Sequence, residues 1–395
     1  MKESIVNLAS ELVRIPSRAG IDPVTRILDF LSDWLAQHHL RASRLHSPTG
    51  ADVGLYLHLR SSEPGPTLCL NACLDTAPFG DEEAWRHPPA SGVIEDGRLY
   101  GRGCADSKTA VAIFSHLAAV AFQRPRSLPR GELYVVFDAD EHTGNFQGIK
   151  SFIEAAPRRP DTVLIGYPGN DKLIVGSRGF LRAEITVYGL SAHSGASSQS
   201  GFNAILKMGQ LIESLHSRPL PQEDDPDFKI GPKVTVTEVE GGEGFSLVPD
   251  RCCCKVDFRL TPNVEKNTAA QWLEVIVRQI DKEHPGPRPT RIDWKESWPA
   301  YRVSIEHPSV RQFLDAAQEI FGRDITPVVS GPSNIGNYLA SKGIPTLSGF
   351  GVSYSNIHAT DESIEIETIT PVYEVYRRAI EKILRSELPS PVANR

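Results

Sequence analysis

The chain has 395 residues, 40% of them hydrophobic and 23% charged, which is typical of a soluble globular protein with one large or two smaller domains. Its net charge of −7 gives no reason to expect a nucleic-acid partner, and its apolar runs are shorter than the roughly 18 residues of a membrane helix. The N-terminus has the pattern of an amphipathic helix and lacks the apolar core of a signal peptide, so we expect a cytoplasmic protein.

The first 177 residues alternate helical and strand patterns. Apolar spacing predicts helices over 3–14, 23–40, 109–123 and 149–156, and strands over 53–60, 67–75, 132–140 and 161–166. This alternation predicts an α/β domain with a mostly parallel sheet. In such a domain the working residues lie on loops at the carboxyl ends of the strands.

Near residue 178 the pattern changes to half-exposed strands. The order is strand 181–189, helix 202–217, strands 233–241 and 251–260, helix 268–280 and strand 290–297. A β-α-β-β-α-β order predicts a ferredoxin-like unit. After residue 297 the α/β pattern returns and ends in a helix. We therefore expect a split α/β domain of residues 1–177 and 298–395, with an inserted α+β domain of residues 178–297.

Groups that can bind a metal follow three predicted strands and recur in one late loop. They are Cys73 with Asp75, Asp106, the segment 140–142 and His358. An acid after a strand is often only the N-terminus of a helix, and a loop histidine is often only solvated. Four such places at one edge of a sheet carry more weight, since carboxylate and imidazole together suit zinc or another divalent first-row ion.

The order of the motifs closely resembles that of the M20 metallopeptidase and deacylase family, which includes acetylornithine deacetylase, succinyl-diaminopimelate desuccinylase, aminoacylase and glutamate carboxypeptidase. The resemblance covers nearly the whole chain. Its motifs are YGRGCADSK (100–108), DADEHTG (138–144), GLSAHSG followed by GFNAI (189–205), and FGVSYSNIHATDES (350–363).

The resemblance implies a role for each matched residue. The metal-bridging ligand falls on Asp106, the general base on Glu141 and a C-terminal ligand on His358. Asp75 matches a residue that orients a histidine ligand. His193, in the inserted domain, would reach across a dimer to stabilise the oxyanion.

Three ligand positions depart from the family pattern. Cys73 replaces a histidine ligand, His142 an acidic ligand and Tyr167 a second acidic ligand. Asp106, His142 and His358 still form a competent set of three protein ligands with room for water. A neutral phenol with a pKa near 10 is a poor ligand, whereas a thiolate is a good one. One ion, zinc or alternatively cobalt or manganese, is the preferred hypothesis; two ions with the help of Cys73, or no catalytic metal, stay open.

The substrate-binding positions implied by the resemblance are Tyr167, Arg178, Ser246, Arg259 and Asn334. Arg259 matches an arginine that pairs with the substrate carboxylate, for which a guanidinium is well suited. Ser246 replaces an amide that touches substrate, and Asn334 stands where many relatives have an aspartate. The pocket is therefore expected to differ from the usual one.

The leading hypothesis is a metal-dependent amidohydrolase, a deacylase or peptidase, that acts on an N-acyl amino acid or dipeptide with a free carboxylate. The resemblance implies that the split domain is catalytic and that the inserted domain of residues 178–297 serves as a lid or for dimerisation, with a homodimer formed through it. Two alternatives stay open. In the first, the altered site runs a non-hydrolytic reaction or uses Cys73, activated by His142, as a nucleophile. In the second, the protein is an inactive relative that binds a metabolite.

Overall fold

The computed structural model describes residues 1–123, 128–195, 201–221 and 225–386. The chain divides into two compact units. The first consists of Met1–Gly176, Arg302–Val328 and Asn334–Arg395, and the second of Ser177–Tyr301 and Val329–Ser333. Within the described ranges, no helix combines the length and the apolar character needed to cross a membrane.

The helices and strands follow one another in mixed order along the chain. The helices are α1 (Lys2–Val13), α2 (Thr25–Gln37), α3 (Thr109–Gln123), α4 (Gln147–Ala155), α5 (Ala204–Ser217), α6 (Lys266–Glu283), α7 (Pro308–Phe321), α8 (Ile335–Ser341) and α9 (Ile369–Arg385). The strands are β1 (Ser43–His46), β2 (Asp52–Arg60), β3 (Thr67–Cys73), β4 (Ile94–Glu95), β5 (Arg98–Tyr100), β6 (Glu132–Asp138), β7 (Thr162–Ile165), β8 (Lys172–Ser177), β9 (Gly179–Tyr188), β10 (Lys233–Gly241), β11 (Arg251–Leu260), β12 (Arg291–Trp298), β13 (Tyr301–Arg302), β14 (Thr326–Ser330), β15 (Thr346–Leu347), β16 (Tyr354–Ser355) and β17 (Ser363–Glu365).

The main sheet of the first unit has the strand order β1-β2-β6-β3-β7-β15. Strands β6, β3, β7 and β15 are parallel, and β1 and β2 add an antiparallel edge. Every residue of β3 is buried, as the apolar run of a central parallel strand predicts. In the register, Cys73 lies opposite Asp138 and Asn71 opposite Ile165, so β3, β6 and β7 end at one edge.

Among the predicted elements that end earlier than their apolar pattern, two do so for a clear local reason. The helix predicted over 23–40 ends at Gln37, because His39 adopts a left-handed φ of 64° that no α-helix contains. The strand predicted over 132–140 ends at Asp138. Its carboxylate accepts hydrogen bonds from the backbone N–H groups of Asp140 at 2.8 Å and Ile149 at 2.6 Å, which turns the chain towards α4.

A small second sheet of the first unit, in the order β16-β17-β5-β4, joins two distant segments. Strand β17 pairs antiparallel with β5, so that Ser363 lies opposite Tyr100. The chain just before β17 contains His358, and the chain just after β5 contains Asp106. This pairing therefore brings the loops of two predicted ligands to the same place.

The second unit contains an antiparallel sheet in the order β10-β11-β9-β12, with the helices α5 and α6. The order along the chain is β9-α5-β10-β11-α6-β12, the predicted ferredoxin-like order. Strand β11 alternates as a half-buried strand does, with Cys252, Cys254 and Phe258 in the core and Lys255 exposed. The mixed α/β fold with a mostly parallel sheet is thus confirmed.

Candidate active site

The loop before α3 presents Asp106. The chain turns at Gly103, whose φ of 85° suits glycine, and a Cβ there would lie only 2.4 Å from Thr76 Cγ2. Asp106 follows three residues later and is buried. Lys108, also buried, donates to the backbone carbonyl of Ile15 at 2.9 Å, and burial lowers its pKa to about 7. The turn at Gly103 and the hydrogen bond of Lys108 thus fix the loop on either side of Asp106, before α3 begins.

Glu362 holds this loop in place, and sequence reasoning did not single it out. Its Oε1 accepts backbone N–H groups from Gly103 and Ala105, both at 3.0 Å, and from Asp106 at 3.4 Å. Its Oε2 pairs with the buried guanidinium of Arg102 at 2.6 Å. Burial raises the pKa of Glu362, and Arg102 opposes that shift. The signal that could have identified Glu362 was its position within the motif that contains His358, residues 350–363.

Asp75 anchors the loop that follows β6. Its Oδ1 accepts the backbone N–H of Glu141 at 3.1 Å, and its Oδ2 accepts that of His142 at 2.8 Å. The same Oδ2 lies 3.3 Å from His142 Nδ1. Position 73 is a cysteine and not the histidine that the resemblance implies, and the carboxylate of Asp75 contacts His142. A carboxylate on Nδ1 orients the ring and leaves Nε2 to serve as a ligand.

Three predicted ligands converge on one point. His358 Nε2 lies 3.0 Å from Asp106 Oδ2 and 3.3 Å from His142 Nε2, and the remaining pair, His142 Nε2 and Asp106 Oδ2, is 3.7 Å apart. With metal–ligand distances near 2.1 Å, the ligand atoms of a tetrahedral zinc site lie about 3.4 Å apart. The donor set therefore fits a divalent ion. The side chain of His358 is 50% exposed, which leaves one side open to solvent.

Electrostatic interactions among the three converging side chains shift the pKa values of Asp106 and His142, even without a bound ion. Burial opposes ionisation of Asp106, but hydrogen bonds from His142 and His358 hold its pKa below the usual range. Burial likewise opposes protonation of His142, while Asp106 and Asp75 raise its pKa well above the usual value. Hydrogen bonds from the two imidazoles thus stabilise the ionised carboxylate of Asp106. His358 reaches the cluster from a left-handed turn with a φ of 59°, a conformation that histidine tolerates better than most residues.

Cys73 lies beside the cluster as a buried thiol. Its Sγ is 3.6 Å from Asp106 Oδ1 and 3.2 Å from Ser107 Oγ, and its backbone N–H donates to that hydroxyl at 2.9 Å. Burial, with the nearby Asp106, raises the pKa of the thiol well above its usual value. A neutral buried thiol is a weak nucleophile, which speaks against the Cys73 alternative. Cys73 does form a second group of potential ligands with Asp75 and His142.

Glu141 and Tyr167 meet at the same edge of the sheet. The Tyr167 hydroxyl donates to Glu141 Oε1 at 2.6 Å. Burial raises the pKa of Glu141 to about 7, with smaller contributions from neighbouring charges. Burial also raises the pKa of Tyr167 well above its ordinary value, so the phenol is a donor and not an anionic ligand.

Two predicted substrate-binding arginines lie together in the second unit. Arg259 Nε pairs with Asp257 at 2.8 Å, and one of its terminal nitrogens donates to Ser333 Oγ at 3.2 Å. The same Ser333 hydroxyl donates to the backbone carbonyl of Arg178 at 2.6 Å. Burial, together with Arg259, lowers the pKa of Arg178. The two arginines are thus linked through Ser333, while Asp257 pairs with the guanidinium of Arg259.

The remaining predicted residues have simpler surroundings. His193 is exposed on the second unit, where its Nδ1 accepts the backbone N–H of Gly195 at 3.0 Å. The backbone carbonyl of Ser246 accepts from Ser194 at 3.0 Å. In the first unit, the Asn334 side chain accepts the backbone N–H of Gly336 at 2.7 Å and caps α8. A side chain used as a helix cap has less capacity left for a substrate.

Comparison with known proteins supports the motif analysis. The family model "Peptidase family M20/M25/M40" matches residues 69–382. A succinyl-diaminopimelate desuccinylase of Xanthobacter autotrophicus is 29% identical over 384 residues, which cover 94% of this chain and 97% of the relative. A protein of the same name from Rhodospirillum centenum is 27% identical over 394 residues, covering 95% and 96%.

Solved structures share the fold along the whole chain. The M20 metallo-carboxypeptidase Sso-CP2 of Sulfolobus solfataricus has a TM-score of 0.79 at 19% identity and covers 96% of this chain and 99% of its own. Human carnosine dipeptidase 1 has a TM-score of 0.77 at 15% identity, covering 98% and 97%. YXEP of Bacillus subtilis, described as a dinuclear metal-binding peptidase, has a TM-score of 0.70 at 16% identity, covering 97% and 98%. The chain belongs to peptidase family M20/M25/M40, a family of metal-dependent hydrolases of amide bonds.

Proposed function

We propose that the protein hydrolyses the amide bond of an N-acyl amino acid or short peptide that carries a free carboxylate. The observation that supports this most directly is the convergence of Asp106 Oδ2, His142 Nε2 and His358 Nε2 in the first unit, which also contains the buried carboxylate of Glu141. A decayed relative has no need to keep a carboxylate at position 141 beside three convergent ligands. That combination favours an active hydrolase over a metabolite-binding protein.

Asp106, His142 and His358 would hold one divalent cation, and we propose zinc, with cobalt or manganese able to replace it. When bound, such a cation polarises the substrate carbonyl and acidifies a water molecule. We propose one ion, in contrast to the dinuclear Bacillus subtilis peptidase. The Cys73 thiol is held neutral by burial, and the Tyr167 hydroxyl already donates to Glu141.

The chain's own residues supply the proton transfers and the orientation. Glu141 takes a proton from the attacking water and passes it to the leaving amine, the work of a general base and then a general acid. Asp75 holds both the backbone of Glu141 and the ring of His142, so one carboxylate aligns base and ligand. We propose that His193, supplied by a second copy, stabilises the oxyanion.

The substrate class follows from the anion-binding side chains of the second unit. Arg259 and Arg178 are linked through Ser333 and suit a carboxylate of the substrate. The relatives named succinyl-diaminopimelate desuccinylase, by that name, act on a substrate with several carboxylates. We therefore propose N-succinyl and other N-acyl amino acids as the first compounds to test, with dipeptides next.

A homodimer is part of the proposal, formed through the inserted domain of residues 178–297. Around the segment of His193, the second unit exposes large apolar side chains. Phe245 is fully exposed, and Leu206 is 69% and Leu247 40% exposed. Exposed apolar side chains of this size favour a second copy as the partner. We also propose a cytoplasmic location, because all six cysteines are unpaired.

The test is metal content per chain by elemental mass spectrometry, for the wild type and for His142→Ala, followed by hydrolysis of a panel of N-acyl amino acids. We expect about one equivalent in the wild type, a loss of it in the variant, and turnover that Glu141→Gln abolishes. Glu141→Gln keeps the size of the side chain and removes the base. Less than a tenth of an equivalent, with no stabilisation by added zinc, cobalt or manganese, contradicts the proposal.

A further inference from the structure

The contact between Tyr167 and Glu141 joins the carboxyl ends of two strands. Tyr167 lies two residues after the end of β7, and Glu141 lies in the loop after β6. Their oxygen atoms are 2.6 Å apart, which is within the range of about 2.5–2.7 Å for a hydroxyl that donates to an ionised carboxylate. The contact is therefore a strong, directional bond to the group proposed as general base.

The phenol is held rigidly enough to impose a position on its acceptor. A Cβ on Gly351 would lie 2.2 Å from the backbone oxygen of Tyr167, so the two segments are packed backbone to backbone. The tyrosine lines a small apolar space with Phe114, Phe350 and Tyr376. A tyrosine has few side-chain torsions, and packing of this kind leaves its hydroxyl little freedom.

One carboxylate oxygen of Glu141, Oε1, contacts the hydroxyl of Tyr167. Its backbone N–H is bound by Asp75, its Oε1 by Tyr167, and its Oε2 lies 3.4 Å from His142 Nδ1. We propose that Tyr167 is a positioning residue, whose hydroxyl fixes one oxygen of Glu141 and so holds the base in a single orientation. This rests on the proposed function of Glu141. It gives the tyrosine a task that the acidic ligand implied at this position by the family resemblance does not have.

A purely structural tyrosine provides the control. The hydroxyl of Tyr376, buried in the same unit, donates to the backbone carbonyl of Phe350 at 2.7 Å. Tyr376→Phe removes a buried hydroxyl of the same kind as Tyr167→Phe, without touching Glu141. A difference in kcat between the two variants therefore reports on the positioning of Glu141 and not on the loss of a buried hydrogen bond in general.

The first arm of the test measures steady-state kinetics and metal content. We expect Tyr167→Phe to lower kcat by about tenfold or more, as for other groups that orient a catalytic side chain, with KM within twofold and the metal content unchanged. Tyr376→Phe should keep kcat within twofold. A kcat within twofold for Tyr167→Phe, or an equal loss for Tyr376→Phe, overturns the inference.

The second arm needs no activity. Urea unfolding of the metal-free protein is compared for Tyr167→Phe, Glu141→Ala and the double variant. We expect the double variant to shift the midpoint by clearly less than the sum of the single shifts, whereas additive shifts contradict the contact. If the wild type hydrolyses nothing, the proposed function fails while this cycle still reports on the bond. If the wild type is active and Tyr167→Phe matches it, only the inference fails.

Discussion

The buried pair of Arg102 and Glu362 allows a sharp prediction about the loop that presents Asp106. Glu362→Gln keeps an oxygen for the backbone N–H groups of Gly103 and Ala105, but it removes the charge opposite Arg102. Glu362 is fully buried and Arg102 is 2% exposed, with 2.6 Å between the charged atoms. Breaking such a pair from one side leaves an unpaired buried charge, and we expect a loss of about 3–5 kcal/mol in the free energy of unfolding.

The measurement is urea unfolding followed by circular dichroism, with zinc affinity by calorimetry. The control is Glu367→Gln, which removes a carboxylate from the exposed pair that Glu367 forms with Lys2 at 2.8 Å. We expect this control to leave the midpoint nearly unchanged, because exposed pairs contribute little. Glu362→Gln should also weaken zinc binding about 10–100-fold, since Glu362 fixes the loop of Asp106.

A double variant separates the charge from the position. Arg102→Met combined with Glu362→Gln removes both charges and should recover part of the stability lost in Glu362→Gln. If Glu362→Gln unfolds at the same urea concentration as Glu367→Gln, the buried pair does not stabilise the loop. The reasoning is also refuted if adding Arg102→Met to Glu362→Gln lowers the free energy of unfolding further, by as much as an independent buried substitution would.

The other predictions concern the metal, the thiol and the dimer. Asp75→Asn should weaken metal binding about 10–100-fold, because a carbonyl oxygen holds the Nδ1–H of His142 less firmly than a carboxylate does. Calorimetry measures the metal affinity, and an unchanged affinity would show that this contact does not contribute to metal binding. Cys73→Ser should keep kcat within about threefold, since the buried thiol is neutral; an inactive variant that keeps its metal would restore the nucleophile hypothesis. Phe245→Asp should convert dimer to monomer in sedimentation velocity and lower kcat if His193 acts from the second copy; a wild type that is already monomeric removes that role for His193.

Much of the fold and part of the site could be predicted from the sequence. The buried strands β3 and β6 have apolar runs too continuous to lie anywhere but the centre of a sheet, and each is followed by ionisable residues. The ferredoxin-like order was readable because β11 and its neighbours alternate with period two. Glu362 escaped because its importance depends on the pairing of β17 with β5, and short strands of two or three residues have no periodic pattern. The hydrogen bond between Tyr167 and Glu141 could not be predicted for a similar reason. It joins the loops after β7 and β6, which are brought together only by the pairing of both strands with β3.

The substitutions at the centre make physical sense as a coordinated set. An imidazole at position 73 would have supplied a partner for Asp75, and the thiol of Cys73 does not. A fully buried carboxylate without donors is costly, and in this chain His142, in the loop after β6, supplies the donor. An acid at position 142 would instead add a negative charge beside Asp75 and Glu141. Cysteine at position 73 and histidine at position 142 thus together keep the carboxylates of the cluster paired, even before any metal binds.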